Sequence, residues 1–262
     1  MPAFHSKFNI YHSVDFHNNR LETNIINHAD LLLASSDKIL DKYKVNEIPK
    51  YKINHGLADY FINGNYDNVS FIENKRRINV GYVGNLHYHY LDVETLKKII
   101  TSNNNVDFYF MGPYERSNLS PRIHDYEFIK FLESMINVHL LGSVPSWKLP
   151  GYLSKCDLFL MCYSGDINIG PMANPHKILE FLSTGKVVVS HYIDEYKNMR
   201  DIIEMVDTNE LLPSAFQKVI NNLDYYNSDY KSKKRIKYAK GNTYAKQIDK
   251  IEEIISGLPE FK

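Results

Sequence analysis

The feature that most constrains the fold is a regular alternation of short apolar runs with helical patterns between residues 78 and 192. The apolar runs are rich in β-branched and aromatic residues and are continuous enough to form strands buried on both faces. Strand, helix, strand repeated at this spacing predicts a doubly wound parallel α/β sheet. The predicted strands are residues 78–84, 106–112, 138–144, 157–163 and 187–192, and the predicted helices are residues 92–101, 121–135, 146–155 and 175–184.

Glycines mark the ends of three of these strands, at Gly84, Gly112 and Gly142. Ligands enter parallel sheets at the carboxyl ends of the strands, and a glycine there lets the backbone approach them. This pattern predicts a nucleotide-binding domain. The glycine spacing typical of dinucleotide dehydrogenases is absent, which disfavours an oxidoreductase.

The run from Asn174 to Ser190 predicts a short helix that leads into a buried strand. Asn174 is a candidate N-cap and Pro175 suits the first helical position, while Gly185 can supply the left-handed residue that ends the helix. One face of this helix is apolar. The other face carries His176, Lys177, Glu180 and Thr184.

Two interpretations of that polar face remain open. A helix N-terminus, a cation and a carboxylate about one turn apart suit a nucleoside diphosphate, with the carboxylate on the ribose diol. Alternatively, the face is only solvated, and Lys177 and Glu180 form an ordinary i,i+3 pair.

The same run resembles the C-terminal signature of GT-B glycosyltransferases, Pro-x-Lys-x-x-Glu-[Tyr/Phe]-Leu-[Ala/Ser]-x-Gly-Lys-Pro-Val-Val. The resemblance implies that Glu180 holds the nucleotide ribose and that Lys177 lies toward the diphosphate. Two positions depart from the pattern. Val187 replaces the usual proline, and Met172 stands where many relatives carry a sugar-contacting glutamate.

The resemblance extends to other loops of this Rossmann-like domain. It places the Gly81–Gly84 stretch near the donor phosphates and the loop after Gly142 at the base. The composition of the loop 164–173 suits either a donor-binding loop or an ordinary polar loop. Tyr114 lines the cleft or is a plain surface tyrosine. The complete implied donor-binding set is Asn174, His176, Lys177, Glu180, Gly84, Asn85, Tyr114, Ser143, Val144 and Asn168.

Residues 1–63 resemble the last units of a GT-B first domain. Strand-like runs at 9–15, 30–35 and 51–54 surround a short helix at 37–43, and residues 53–61 resemble a Pro-Asn-Gly-Val-Asp motif with His55 in place of Asn. A full first domain needs about 150 residues, so we expect only a partial lobe, either truncated, split or packed as it stands. A linker at 64–76, a donor-binding domain at 77–240 and a C-terminal helix in 241–262 that packs back on the first lobe complete the predicted organisation.

The candidate catalytic residues are Asp15 and His17, which follow the first predicted strand. There they could face the cleft and act as a base. Asp15 could instead cap the following turn. His87 and His89 alternate but lack a third ligand nearby, so no metal site is predicted.

Composition limits the function classes further. The 31 basic residues equal the 31 acidic ones, so there is no global field for nucleic acid. The only cysteines, Cys156 and Cys162, suit buried thiols in a reducing compartment, and no membrane-spanning run or signal peptide is evident. We therefore expect a cytoplasmic protein. The lysine-rich segment 228–240 predicts either a solvated helix face or a peripheral contact with an anionic membrane.

Taken together, the resemblance implies a glycosyltransferase. It would move a sugar from a nucleoside diphosphate sugar, its donor substrate, to a polysaccharide or lipid-linked acceptor in cell-envelope glycan synthesis. No further cofactor is expected. The alternatives are a non-catalytic nucleotide-sugar-binding subunit whose first lobe is completed by a partner chain or dimer, and a nucleotide-sugar epimerase of the same fold.

Overall fold

The computed structural model describes residues 7–16, 20–64, 77–87, 89–115, 126–164 and 173–259. It contains two parallel sheets with helices around them. The elements of the first lobe are β1 (Ile10–Ser13), α1 (Arg20–Ile26), β2 (Leu31–Ala34), α2 (Asp37–Lys42), β3 (Lys50–Lys52) and α3 (Tyr60–Asn63). Their strands form a three-stranded sheet in the order β1-β2-β3.

The second lobe holds a six-stranded sheet in the order β6-β5-β4-β7-β8-β9. Its elements are β4 (Ile78–Val83), α4 (Val93–Thr101), β5 (Val106–Met111), α5 (Tyr126–Ser134), β6 (Val138–Gly142), α6 (Leu149–Leu153), β7 (Leu158–Met161), α7 (Lys177–Ser183), β8 (Val187–Ser190), β9 (Glu204–Met205), α8 (Leu212–Asn221), α9 (Leu223–Tyr226), α10 (Asp229–Lys240) and α11 (Tyr244–Gly257). The predicted doubly wound parallel sheet is confirmed. Each strand predicted for this sheet appears, shortened by one or two residues at one or both ends.

The strand order places a switch point between β4 and β7. From β4 the chain builds outward through β5 and β6, then returns to add β7 on the other side of β4. All these strands run parallel, so their carboxyl ends share one edge of the sheet. A crevice for ligands opens at such a switch point.

The strands are buried because the core lies on both sides of the sheet. Every residue of β5, β7 and β8 is buried. A continuous apolar cluster joins them to the inner faces of the helices. Gly81 of β4 has no room for a side chain, because a Cβ there would lie 2.8 Å from the Cys156 Sγ.

Several local features differ from the sequence prediction. The helix predicted at 146–155 divides into a 3₁₀ turn at 146–148 and α6, because Pro150 suits only the first turn of an α-helix. Strand β9 was missed because two edge residues carry no periodic signal. Helix α5 is observed over Tyr126–Ser134, and residues 121–125 of its predicted range lie outside the described residues.

A buried carboxylate organises the first lobe. Glu22 of α1 accepts hydrogen bonds from the hydroxyls of Tyr11 and Tyr43 and pairs with Lys42. Burial alone would raise the pKa of Glu22, but these partners lower it. The network ties α1 to β1 and α2, so this small sheet has a polar centre that its sequence pattern does not reveal.

The C-terminal helix contacts the first lobe. Ile251, Ile254 and Ile255 of α11 pack with buried Leu258 against Leu31, Leu33 and Ile53. The backbone also connects the two parts, since the Leu57 N–H donates to Asn242 O at 2.7 Å and the Tyr244 N–H donates to Leu57 O at 3.1 Å. In the described part of the chain, no helix is both long and apolar enough to cross a membrane.

Candidate functional site

The segment that precedes α7 runs between the two lobes. Asn174 was predicted to cap this helix, and that prediction is wrong: His176 occupies the boundary, without a capping side-chain hydrogen bond. The Asn174 amide instead donates to Ser35 O at 2.7 Å and to the Asn54 Oδ1 at 2.8 Å. Because these partners belong to the first lobe, Asn174 links the lobes. Gly185 ends the helix with a φ of +76°, as predicted.

The first turn of α7 offers few free donors for an anion. The Ile178 N–H donates to Pro175 O and the Leu179 N–H to His176 O, each at 3.1 Å. These backbone groups are therefore already used within the turn. The positive charge of the predicted phosphate site rests mainly on the Lys177 ammonium.

Lys177 and Glu180 both belong to the first turn of α7, and both are half-buried. Burial raises the pKa of Glu180 to about 7, partly offset by the Lys177 charge. Burial lowers the pKa of Lys177, and the charges of Glu180 and Asp15 act against that shift. The Asp15 charge of the first lobe thus acts on Lys177 of the second lobe.

Three histidines interact electrostatically with one another, and one of them, His176, also interacts with Lys177. The His55 ring donates from Nε2 to Asn174 O at 2.7 Å, because a carbonyl can only accept. Its centroid lies 6.0 Å from that of His176. Burial lowers the pKa of His176 to about 4 and also lowers the pKa of His55 and of His12. Each of these shifts favours the neutral ring.

Sequence reasoning did not select His12 or His55 as site residues. Both lie in stretches that resemble the end of a GT-B first domain. That resemblance is the sequence signal that could have identified them as site residues. The predicted base Asp15 is exposed and interacts electrostatically with His55 and Lys177. His17 lies outside the described residues, as does Asn168 of the predicted donor loop.

A second group of predicted residues surrounds the carboxyl ends of β4, β5 and β6. The Gly84 N–H donates to Met111 O at 2.9 Å and the Gly112 N–H donates to Gly142 O at 2.8 Å. The backbones approach closely here, since a Cβ on Gly112 would lie 1.9 Å from Gly84 O. Gly142 adopts a φ of +69° with the Tyr114 ring beside it.

The remaining residues of this group differ in exposure. Asn85 is exposed, and its side-chain oxygen accepts from the His87 N–H at 2.9 Å. Ser143 is exposed, whereas Val144 is half-buried against the core. His87 contacts Tyr114 O through Nε2 at 2.9 Å, which joins the β4 and β5 loops.

The two groups flank the same switch point. Gly84 follows β4, and α7 follows β7, the strand that pairs with β4 on its other side. A helix that returns along a parallel sheet begins at the carboxyl edge, so the α7 N-terminus and the β4–β6 loops share that edge. The candidate site therefore combines a cation and a carboxylate on α7 with the glycine-bearing ends of β4, β5 and β6 at one edge of the sheet. Within the described ranges, no three His, Cys, Asp or Glu side chains are grouped so as to hold a metal ion.

The chain matches no protein-family model and no curated protein sequence. Solved structures share its fold. Sucrose-phosphate synthase from Thermosynechococcus elongatus is 14% identical with a TM-score of 0.67, over 90% of this chain and 60% of that one. HepE from Anabaena, determined with UDP, is 15% identical with a TM-score of 0.68, over 95% of this chain and 72% of that one.

S. aureus TarM, determined as a mutant with fondaparinux, alpha-GlcNAc-glycerol and UDP, is 14% identical with a TM-score of 0.64. The match covers 94% of this chain and 50% of TarM. This chain therefore has the GT-B fold and spans between half and about three quarters of the length of these three proteins.

Proposed function

We propose that the chain is a glycosyltransferase that takes its sugar from a nucleoside diphosphate sugar. The observation that carries this proposal is the Lys177–Glu180 pair, half-buried at the switch point of a GT-B fold. Two supporting facts are that HepE and TarM were determined with UDP. The donor acts as substrate, and the proposal includes no further cofactor.

Each residue of the pair has a separate role in this proposal. The Lys177 ammonium would balance the negative charge of the diphosphate leaving group as the bond to the sugar breaks. Glu180, once ionised, would accept hydrogen bonds from the two ribose hydroxyls. Burial strengthens both interactions, because half-buried charges are less screened by water.

Asp15 is the proposed base on the acceptor side. It is exposed on the first lobe and interacts electrostatically with Lys177 of the second lobe. A carboxylate in that position can take the proton of an acceptor hydroxyl. We expect Asp15→Asn to lower kcat by a factor of about 10² to 10⁴ without lowering the affinity for UDP.

The acceptor proposed is a polysaccharide or lipid-linked glycan of the cell envelope. TarM, with its alpha-GlcNAc-glycerol complex, is the supporting comparison. We further propose that the protein works in the cytoplasm, where lipid-linked acceptors meet it at the inner face of the membrane. Both cysteines are free and buried, which is consistent with a reducing compartment.

Calorimetry with UDP and GDP tests the donor assignment. Glu180→Ala should weaken binding of the preferred nucleotide about tenfold to a hundredfold, as expected for hydrogen bonds to a charged group. Glu94→Ala is the matched control, because Glu94 is an exposed carboxylate on α4 and its side chain is 76% exposed. Equal affinities for wild type and Glu180→Ala, with both folded by circular dichroism, would overturn the ribose assignment.

A second candidate is a nucleotide-sugar-binding subunit that needs a partner chain. The observation in its favour is the first sheet, which has three strands among the described residues. An assay of sugar transfer with the purified chain distinguishes a transferase from a nucleotide-sugar-binding subunit. Turnover without added protein supports the transferase, whereas UDP binding without turnover supports the subunit.

A further inference from the structure

The cations of helix α10 fall into two groups. Three of them form hydrogen bonds or ion pairs with other parts of the protein. Arg235 is buried and donates to the backbone oxygens of Gly185, Ile202 and Tyr226. Lys234 pairs with Asp201 at 2.9 Å, and Lys231 lies 3.7 Å from Glu204.

The other three cations have no carboxylate partner in the described part of the chain. They are Lys233, Lys237 and Lys240, and all are exposed. Asp229, one turn before Lys233, forms no ion pair with it. The structure thus separates the lysines that stabilise the fold from those that do not.

These three lysines share one side of the helix with Tyr230. Positions 230, 233, 237 and 240 are three and four residues apart, so they follow one another along a single face. Tyr230 is 70% exposed. We call Tyr230, Lys233, Lys237 and Lys240 the basic face. The opposite side carries the buried Arg235 and Ala239 and packs on the second lobe. Between the two sides, Ser232 and Ile236 cover Gly185 at the end of α7.

Within the basic face, the three lysines repel one another. Like charges three and four residues apart destabilise a helix by a few tenths of a kcal/mol per pair, about the size of a favourable pair. The chain as a whole has a formal net charge of zero, so this concentration is local. An anionic partner would remove the repulsion.

We propose that the basic face binds the surface of an anionic lipid bilayer. A flat array of lysines complements a charged surface, and tyrosine favours the level of the lipid headgroups. Tyr230 is the only aromatic side chain of the face, so the contact would be peripheral, reversible and weakened by salt. This contact would serve the lipid-linked acceptor proposed above, but the binding itself does not require transferase activity.

Vesicle flotation tests the proposal. The full chain is mixed with vesicles of phosphatidylcholine alone or of equimolar phosphatidylcholine and phosphatidylglycerol. We expect binding to the anionic vesicles only, and its loss at high salt. Each lysine near such a surface contributes about 1 kcal/mol, so replacing all three by glutamine should weaken binding on the order of a hundredfold.

A second triple variant controls for net charge. Lys44, Lys155 and Lys218 are exposed lysines outside the basic face, and replacing them with glutamine removes the same charge. This variant should bind the anionic vesicles like wild type. Equal weakening in both triple variants, or no vesicle binding by wild type, would overturn the proposal.

Two further measurements distinguish a lipid surface from an anionic polymer and separate this contact from nucleotide binding. Wild type that binds heparin or transfer RNA through these lysines but no vesicle would assign the face to an anionic polymer and overturn the lipid proposal. UDP calorimetry on the Lys233→Gln, Lys237→Gln, Lys240→Gln variant should match wild type. Loss of vesicle binding with intact UDP binding therefore separates this inference from the proposed function.

Discussion

The Asn174 side chain donates a 2.7 Å hydrogen bond to the Ser35 carbonyl, 139 positions earlier in the chain. Asn174 comes directly before the helix that carries Lys177 and Glu180, and Ser35 follows the central strand of the first lobe. The Asn174 carbonyl also accepts from His55 at 2.7 Å. One residue therefore fixes the candidate site helix to the opposite lobe.

The first prediction concerns this link. Asn174→Ala leaves the buried Ser35 carbonyl without that donor, so we expect a loss of about 1 to 3 kcal/mol in the free energy of unfolding. Urea denaturation measures it. Asn105→Ala is the matched control, because Asn105 is exposed, and it should change stability by less than about 0.5 kcal/mol. Unchanged stability with weakened UDP binding would instead assign Asn174 to the donor.

The second prediction concerns the cost of burying Glu180. Its pKa of about 7 in the folded protein lies above the ordinary value of 4.5, so the folded state holds an extra proton between those pH values. Stability from this group is therefore present below pH 4.5 and is lost as the pH rises to about 7. Glu180→Gln should be more stable than wild type at pH 8 by about 3 kcal/mol, at about 1.4 kcal/mol per pKa unit.

Urea denaturation of both proteins at pH 4.5 and pH 8 checks this expectation. The comparison isolates Glu180, because all other titrating groups are common to the two proteins. A stability difference that is the same at both pH values would contradict the assigned pKa shift.

The third prediction concerns nucleotide affinity. If ionised Glu180 holds the ribose, the affinity for UDP should rise with pH up to about pH 7 and then level off. Below the pKa, the slope should approach a factor of ten per pH unit, corrected for titration of the ligand itself. Calorimetry on wild type and Glu180→Gln measures both curves. The variant should bind weakly with no such rise, and parallel curves would exclude Glu180 as the titrating group.

The fourth prediction concerns the close approach of two strand ends. Gly112→Ala would place a Cβ 1.9 Å from Gly84 O, a backbone atom that cannot rotate away. We expect a loss of several kcal/mol in stability, or failure to fold, because the β4 and β5 ends must separate. Gly257→Ala is the control, since nothing lies within 4 Å of a Cβ there, and thermal unfolding should show it unchanged or slightly stabilised.

Local sequence patterns were sufficient for most of the second lobe. Continuous apolar runs located β5, β7 and β8, and the glycines located the strand ends. Burial on both faces leaves a strong signal in consecutive residues. The N-cap role predicted for Asn174 was wrong because its hydrogen-bond partners are distant in the sequence. The neighbouring sequence suits a helix cap, but the hydrogen-bond partners of Asn174, Ser35 and Asn54, are more than a hundred residues away in the chain.

The sequence by itself determined the parallel α/β architecture and the polar face of α7, because both follow from the spacing of neighbouring residues. Only the tertiary structure decided which groups meet across the cleft, where His55 contacts Asn174 and the Asp15 charge acts on Lys177. The tertiary structure also decided which lysines of α10 form ion pairs. Lys234 pairs with Asp201, whereas Lys237 has no carboxylate partner among the described residues. Pairing and pKa depend on distance and burial in three dimensions, and residues far apart in sequence carry no local record of either.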